Sequence, residues 1–410
     1  MEDIIIRADK FIDGRGGPIQ QDMALAVKNG VISRVGPRDQ LELPESGGPT
    51  VLEFPNATLL PGLIDCHTHT NMPANGRKGE EVIPDGDNLR LLRSARNAAA
   101  ALQSGVTTMC DNGAWNRTGF ALKEGISQGE VQGPNLLACG RPVTTTGGHL
   151  WFMGSEADGI DGVGQATRQL IKEGADFIKV MATGGSTLTS DPFRPAYSVE
   201  ELKAIGDEGR RHNRMVAAHC RCNQGMQNVL EAGYDGIYHA FFAGEDGLPS
   251  FDQEIAKRIA EQGVWVNPTI HIGRSGIWAL ERKGEEVGLS EQEEAMLLER
   301  RHNHQVRLEH CSRMVDLGVK LIAGSDCGWG NYPFGQLAYE LECMVMVGLS
   351  PTQAVSAATC DAAMALSIHD SVGTLEPGKQ ADLLLVGGDP SVNILDLMNV
   401  VAVFKAGVRV

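Results

Sequence analysis

Two histidines separated by one residue, His67 and His69, are the first side chains in the sequence whose types and spacing could do chemistry together. They follow an apolar segment that begins near Pro61, where we expect a strand. In a strand, residues i and i+2 project to the same side, so both imidazoles could bind one ion. Neutral imidazole binds zinc, iron, nickel or cobalt. Because such pairs also occur by chance, the pair alone is a weak signal.

Four more residues suited to such a site occur in or at the ends of predicted strands farther along the chain: Lys179, His219, His239 and Asp326. The carboxyl ends of parallel strands open on one face of a barrel, where active sites form. We therefore predict that these residues converge with the histidine pair in one metal site.

Lys179 needs a separate explanation, because an ammonium group repels cations and it lies within the apolar run Phe177–Ala182. An unpaired buried charge is costly. One interpretation is that Lys179 pairs with a carboxylate such as Asp326. The other is that it has reacted with CO2 to form a carbamate whose two oxygens bridge two metal ions.

The elements that must position these residues follow from the pattern between residues 57 and 365, where short apolar runs alternate with segments of helical period. Repeated βα units of this kind are typical of an α/β fold with a (β/α)8 TIM barrel. Val199–Arg211 and Gln253–Glu261 are two of the predicted helices. The predicted barrel strands are Thr58–Cys66, Val106–Asp111, Leu136–Gly140, Phe177–Ala182, Met215–His219, Gly236–His239, Val264–Pro268 and Lys320–Asp326.

The two chain ends have a different pattern, in which β-branched runs are separated by turn residues. The predicted strands are Ile4–Arg7, Met23–Lys28, Val31–Val35, Asp382–Val386 and Val400–Lys405. Neither end has enough apolar residues to fold alone, so we expect both ends to pair in one small β-domain.

Composition restricts the partners of the chain. A formal net charge of −16 disfavours nucleic acids and anionic membranes. No apolar run approaches the ~20 residues needed to cross a bilayer, and the N-terminus lacks a signal-peptide pattern. The nine cysteines have no framework spacing, which favours reduced thiols. We predict a cytoplasmic homo-oligomer that acts on a small-molecule substrate and binds neither nucleic acid nor membrane.

The combined pattern resembles the amidohydrolase superfamily, and within it the prolidase-like, imidazolonepropionase-related branch. The resemblance covers nearly the whole chain and is carried by Pro61–Thr70, Lys179, His219, His239, Gly324-Ser325-Asp326 and Gly373–Leu383. It implies a β-sandwich domain formed by residues 1–56 plus 366–410, and a metal-dependent hydrolase barrel formed by residues 57–365.

The resemblance also implies a binuclear centre with two divalent metal ions, for which zinc is the expected metal. His67, His69 and Asp326 would hold the more buried ion, and His219 and His239 the more exposed one. Lys179, as a carbamate, would bridge both. A metal-bridging hydroxide would then attack a carbonyl carbon, and Asp326 would transfer its proton to the leaving nitrogen.

The residues predicted to bind the substrate lie beyond the predicted strands: His149, Arg221, Arg194, Trp329 and His271. By resemblance, His149 polarises the scissile carbonyl or contacts the substrate; the alternative is that it orders its own glycine-containing loop. Tyr332 could also line the pocket. Tyr238 precedes His239, and strand alternation predicts that its side chain points away from the metal.

The predicted reaction is hydrolysis of an amide C–N bond in a dipeptide or an N-acyl amino acid. Dipeptidase-like relatives often carry a hydroxyl-bearing aromatic shortly after the sixth-strand histidine, whereas Ala240, Phe241 and Phe242 follow His239 here, which favours apolar or aromatic acyl groups. Two alternatives stay open: a hydrolase of carbamates, ureas, cyclic amides or esters, and a non-catalytic barrel scaffold. A scaffold would have no need of the complete set of ligands.

Overall fold

The computed structural model describes residues 3–41 and 49–410. Its strands, in chain order, are β1 (Ile4–Phe11), β2 (Gln20–Lys28), β3 (Val31–Pro37), β4 (Thr50–Pro61), β5 (Leu63–Thr68), β6 (Val106–Asp111), β7 (Asn135–Ala138), β8 (Val143–Thr144), β9 (Ser155–Glu156), β10 (Ile178–Met181), β11 (Val216–Cys222), β12 (Gly236–Ala243), β13 (Trp265–Asn267), β14 (Leu383–Gly387), β15 (Val400–Lys405) and β16 (Val408–Arg409).

Helices alternate with the strands from β5 to β13. They are α1 (Asp87–Gln103), α2 (Thr118–Ser127), α3 (Gly159–Glu173), α4 (Val199–Arg211), α5 (Asn223–Ala232), α6 (Gln253–Glu261), α7 (Ile270–Val287), α8 (Glu291–Asp316), α9 (Ala338–Met346), α10 (Pro351–Ala357) and α11 (Cys360–Ala365). Helices α4 and α6 have the predicted bounds. Ser198 begins α4 because its hydroxyl accepts from the backbone N–H of Glu201, whose side chain accepts in return from Ser198.

Both chain ends contribute to one seven-stranded sheet, in the order β16-β15-β14-β4-β1-β2-β3. Strand β4 joins them, because it pairs in parallel with β1 and antiparallel with β14. Ile6, Leu25, Leu59, Leu385 and Phe404 belong to the core of this sheet. The predicted pairing of the chain ends is therefore confirmed. The division into domains at residues 56 and 366 stays a prediction, and its first boundary falls within β4.

Two parallel sheets lie between the chain ends. One has the order β13-β12-β11-β10-β8-β9 and the other the order β5-β6-β7. Each predicted barrel strand except the last overlaps a strand of the structure. Parallel pairing brings the carboxyl ends of β10, β11 and β12 to one side, as a strand-end site requires.

The predicted strand Thr58–Cys66 is in fact two strands, since β4 ends at Pro61 and β5 begins at Leu63. The chain changes sheets at Gly62, whose N–H donates to the carbonyl of Asp382 at 2.8 Å. A Cβ at Gly62 would lie 2.1 Å from the Thr107 hydroxyl. Only glycine fits this crossing without displacing Thr107.

The predicted strand Lys320–Asp326 is wrong, since this segment forms only isolated bridges, such as that between Leu321 and Val266. Its pairing is interrupted because the N–H of Ala323 donates to the carbonyl of Ala357 outside the parallel sheets, and because Asp326 has a φ of 56°. The segment nevertheless lies between two strands. The N–H of Ile322 donates to Val266 of β13, and the N–H of Cys66 in β5 donates to Ala323.

Within the described residues, no helix has the length and apolar character needed to cross a membrane. All nine cysteines lie in this part of the chain, and none is in a disulfide.

A buried carboxylate connects the chain-end sheet to the parallel strands. Asp382, which is 4% exposed, accepts from the N–H of Ala406 at 2.7 Å. It also accepts from the ammonium group of Lys405 and the amide of Asn135, both at 3.1 Å. Because Asn135 begins β7, this cluster spans the two sheets.

We expect Asp382→Asn to lower the free energy of unfolding by about 2 kcal/mol, because it leaves the Lys405 ammonium without its buried counter-ion. Denaturant unfolding followed by circular dichroism measures this change. Asp370→Asn is the matched control, since the Asp370 side chain is 98% exposed. Equal stabilities of the two variants would contradict a role for Asp382 in joining the sheets.

Candidate active site

Five imidazole rings form a continuous row at the carboxyl ends of the parallel strands. Neighbouring ring centroids lie 4.5–5.4 Å apart, in the order His69, His67, His239, His219 and His149. His67 is in β5, His219 in β11 and His239 in β12, while His69 directly follows β5. His149 is in the loop after β8. All five side chains are buried, so the fold gathers residues that are far apart in sequence.

Asp326 and Lys179 meet this row at His67 and His69. One Asp326 carboxylate oxygen, Oδ1, lies 3.5 Å from Nε2 of His67 and 3.4 Å from Nε2 of His69. The Lys179 Nζ lies 3.4 Å from Nε2 of His67. The predicted convergence of His67, His69, Lys179, His219, His239 and Asp326 is thus what the geometry shows.

Burial favours the neutral form of four of these imidazoles. Desolvation lowers the pKa of His67, His219 and His239 well below the usual 6.5, and that of His149 to about 3. A neutral imidazole has a lone pair on one nitrogen, which a metal ion requires.

Hydrogen bonds on the Nδ1 side orient three of the rings. Nδ1 of His239 lies 2.7 Å from the Thr269 hydroxyl, and Nδ1 of His69 lies 3.3 Å from the carbonyl of Gly113. Nδ1 of His149 lies 2.9 Å from the Thr187 hydroxyl. Such contacts set the tautomer and the ring orientation.

These residues fit a divalent metal ion. His67, His239 and Asp326 each offer a ligand atom, and the three atoms lie within 4.8 Å of one another. Imidazole nitrogen with carboxylate oxygen is a donor set that zinc uses. His219 is oriented differently, because its Nε2 lies 3.1 Å from the carbonyl oxygen of Gly184.

Lys179 is 1% exposed, and burial lowers its pKa from 10.5 to about 7. Among the residues 3–41 and 49–410, no carboxylate lies within 4 Å of its Nζ, so the predicted alternative of an ion pair with Asp326 does not occur. Its Nζ instead lies 4.0 Å from the centroid of the Tyr238 ring. The lysine is buried without a counter-ion.

The backbone around the site adopts an unusual conformation. His239, Ala240, Thr269 and Asp326 have φ values of 72°, 50°, 48° and 56°. This left-handed region is uncommon for residues other than glycine and persists where the surrounding structure imposes it. Arg307 imposes it here, since its guanidinium donates to the carbonyls of His239, Ala240 and Pro268.

The left-handed backbone explains why the prediction for Tyr238 is wrong. Strand alternation is lost at His239, so consecutive side chains no longer project to opposite sides. The Tyr238 ring lies 4.9 Å from the His67 ring and directly against Lys179. Tyr238 therefore forms part of the floor of the site.

Two buried carboxylates that the sequence predictions omitted also hold the site. Asp65 accepts from the backbone N–H groups of His67 and Ser325, at 3.1 and 2.9 Å, and from the Ser325 hydroxyl at 2.6 Å. Asp111 accepts from the Thr70 hydroxyl at 2.7 Å. Burial raises the pKa of both carboxyl groups to about 6. The available signal was an acidic residue within an otherwise apolar strand.

The residues predicted to bind substrate separate into two groups. Trp329 lies beside the site, with its ring centroid 5.2 Å from that of His69, and Arg221 follows His219 by two residues in β11. Arg194 is exposed and pairs with Asp191 at 3.1 Å.

His271 lies in a separate cluster. It is fully buried, its ring packs against Trp278, Tyr332 and Tyr339, and its Nδ1 accepts from Arg274 at 2.9 Å. Tyr332 thus packs around His271 and makes no ring contact with the histidine row in the described structure. Neither Arg194 nor His271 joins that row through a hydrogen bond, ion pair or ring contact among the described residues.

Along most of its length the chain is similar to known hydrolases. The chain is 27% identical over 427 residues to an ochratoxinase of Aspergillus niger, covering 95% of this chain and 82% of that protein. It is 25% identical over 399 residues to an imidazolonepropionase of Geobacillus thermodenitrificans (strain NG80-2), covering 88% and 82%. A crystal structure of a Xaa-Pro dipeptidase with methionine bound in the active site has a TM-score of 0.86 and 26% identity, covering 100% of this chain and 99% of that one.

The sequence model of the amidohydrolase family matches residues 58–410, which include every residue of the histidine row, Lys179 and Asp326. The chain therefore belongs to the amidohydrolase family and is a hydrolase that acts on carbon–nitrogen bonds.

Proposed function

We propose that the protein is a metal-dependent amidohydrolase that cleaves the amide C–N bond of a dipeptide or an N-acyl amino acid. The observation that carries this proposal is the meeting of five imidazoles with one carboxylate and one buried lysine at the carboxyl ends of the parallel strands. The similarity to a Xaa-Pro dipeptidase favours an amide as the scissile group.

The proposed scaffold is a closed (β/α)8 barrel with a β-sandwich formed by both chain ends. The segment 320–327 supports closure, since it donates to Val266 of β13 and accepts from Cys66 of β5. Asp326 itself donates its N–H to the carbonyl of His67 at 2.7 Å. In a closed barrel this contact puts the last ligand beside the first.

The proposed metal ligands divide between two ions, with zinc as the expected metal. His67, His69 and Asp326 would hold the first ion, which the distances of 3.5 and 3.4 Å from Asp326 to the two histidines support. His219 and His239 would hold the second, and Nε2 of His219 now lies 3.1 Å from the carbonyl of Gly184.

Lys179 is proposed to bridge the two ions as a carbamate. Its neutral amine would attack the carbon of CO2: an N–C bond forms, one C=O π bond opens to leave the negative charge on oxygen, and the nitrogen loses a proton to water. Burial favours this reaction because it lowers the pKa of Lys179 to about 7, so that much of the amine is neutral. The product is an anion, which a centre of metal cations would stabilise. The same centre would repel the ammonium form of Lys179.

Asp326 is the proposed proton carrier. Divalent ions bound here would lower the pKa of a bound water and polarise the substrate carbonyl. The Asp326 carboxylate accepts a proton from the attacking water and then donates it to the leaving nitrogen as the C–N bond breaks. Its side chain is 14% exposed, so both water and substrate reach it.

His149 is proposed to donate a hydrogen bond to the scissile carbonyl. The Thr187 hydroxyl accepts from the N–H of Leu150 and lies 2.9 Å from Nδ1 of His149. In the proposed tautomer this hydroxyl donates to Nδ1, and the imidazole proton is on Nε2. A Cβ at Gly185 would lie 2.4 Å from that Nε2, so glycine is required beside the ring. With its pKa lowered to about 3, His149 acts as a neutral donor.

We expect Lys179→Ala to abolish activity and to reduce metal content from roughly two ions per chain, because the bridging anion is lost. Activity assays and elemental analysis measure both, and added short-chain carboxylic acids should restore part of the activity. Lys257→Ala is the control, since Lys257 forms a surface pair with Glu254. Full activity and two ions in Lys179→Ala would exclude the carbamate. One ion and an unmodified Lys179 in the wild type would favour a mononuclear, deaminase-like or imidazolonepropionase-like reaction.

We expect Asp326→Asn to lower kcat by about 10²–10⁴-fold, because an amide oxygen still binds a metal ion but cannot accept the proton. Steady-state kinetics measure this loss, while circular dichroism and metal content verify that the fold and site survive. An unchanged kcat would remove Asp326 as the proton carrier.

His149→Gln is expected to lower kcat by about 10²-fold with a small change in KM, because the hydrogen bond to the carbonyl strengthens as negative charge develops. Thr187→Val should reduce kcat less, since it removes only the group that selects the tautomer. A rise in KM at unchanged kcat for His149→Gln would indicate ground-state binding alone.

A further inference from the structure

A guanidinium group that pairs with no carboxylate among the described residues lies at the edge of the histidine row. Arg221 is in β11, two residues after His219, and its Cζ lies 4.6 Å from the centroid of the Phe241 ring. Its backbone N–H donates to the Thr183 hydroxyl at 3.1 Å. In the described part of the chain, its guanidinium forms no hydrogen bond or ion pair, and its Nε is buried without a partner.

A second arginine, Arg307, also contacts the Phe241 ring. The Cζ of Arg307 also lies 4.6 Å from the Phe241 centroid. Arg307 differs from Arg221 because its N–H groups are used by the carbonyls of His239, Ala240 and Pro268. Arg307 therefore positions the ring and the backbone, whereas the N–H groups of Arg221 stay available.

The unpaired guanidinium is partly buried, which carries a cost in the free protein because its Nε is removed from water without a partner. Most buried charges are paired, because removal from water is compensated only by a partner of opposite charge. The contact with Phe241 offsets a small part of this cost. It leaves the terminal N–H groups of the guanidinium, which form the planar fork that binds a carboxylate through two hydrogen bonds.

Arg221 lies close enough to the imidazoles to contact the amine portion of the substrate, which is the leaving group. The Phe241 ring is stacked on the His239 ring at 6.0 Å, so Arg221 lies one ring away from a residue of the site. In an N-acyl amino acid or a dipeptide, the free carboxylate is separated from the scissile nitrogen by a single carbon. A group that binds this carboxylate must therefore lie next to the imidazoles, as Arg221 does.

We propose that Arg221 binds the free α-carboxylate of the substrate, and that Phe241 and Arg307 position it, so that the enzyme selects amides whose amine portion is an amino acid with a free carboxyl group. This inference rests on the proposed amide hydrolysis and names the residue that binds the carboxylate of the proposed substrates. Arg221 would also supply the hydrogen-bond donor to the carboxylate that the sequence lacks after His239, since Phe241 has no hydroxyl.

A pair of stable amide analogues tests the proposal: the methylphosphonyl derivative of L-leucine and the same compound as its carboxamide. Calorimetry with the metal-loaded wild type should show the acid binding about 10–100-fold more tightly than the carboxamide. Arg221→Gln should reduce this ratio to about one, and Arg221→Lys should retain part of it. Matched N-acyl-leucine substrates should give the same ratios in kcat/KM.

Arg313→Gln is the matched control, because Arg313 also stacks on a phenylalanine, at 3.9 Å from the Phe251 centroid, but is exposed on α8. It should keep the wild-type ratio. A ratio near one in the wild type, or an unchanged ratio in Arg221→Gln, would overturn the carboxylate site while amide hydrolysis stands. If neither analogue binds and neither substrate is cleaved, the proposed amide hydrolysis fails, and the carboxylate site with it.

Stability distinguishes binding from a structural role. Arg221→Met removes an unpaired charge and keeps an apolar contact with Phe241, so its Tm without ligand should equal or exceed that of the wild type. A clear fall in Tm would assign Arg221 to the fold and overturn the proposal.

Discussion

The buried carboxylate of Asp65 is the interaction on which the geometry of the site depends. It joins β5, which carries His67, to Ser325, which is 260 residues away along the chain. Three hydrogen bonds end on this one side chain, two of them from Ser325. Because Asp326 follows directly, its carboxylate is held within 3.5 Å of His67 and His69 without a regular strand. Hydrogen bonds to a buried carboxylate are strong, which suits a contact that must hold a ligand in place.

Burial gives the centre its chemical character. Desolvation favours the neutral form of His67, His149, His219 and His239, and it lowers the pKa of Lys179 to about 7. The described structure thus contains neutral nitrogen donors, one adjacent carboxylate and a lysine suited to modification. Arg221 is the contrasting case, since a guanidinium stays charged when it is buried. An unpaired cation beside neutral donors is most simply understood as part of a site that is completed by an anion.

Local pattern was sufficient for the regular elements. Helical period predicted α4 and α6 with their observed bounds, and β-branched runs predicted five of the seven strands of the chain-end sheet, all except β4 and β16. Prediction was wrong where hydrogen bonds cross between elements. One apolar run is divided between two sheets at Gly62, where the close approach of Thr107 permits only glycine. In the segment before Asp326, the N–H of Ala323 donates to the carbonyl of Ala357. Neither partner is near in sequence, so no local rule could include it.

The sequence by itself determined the chemical inventory of this protein, since metal chemistry is indicated by residue types and strand-end positions alone, at His67, His69, Lys179, His219, His239 and Asp326. Only the tertiary structure decided how those side chains point. Arg307 forces a left-handed backbone at His239 and Ala240, which brings Tyr238 to the site, and the packing of Trp278 and Tyr339 separates His271 from it. The physical reason is that residue type follows from the chain alone, whereas orientation is set by contacts between residues that are distant along it.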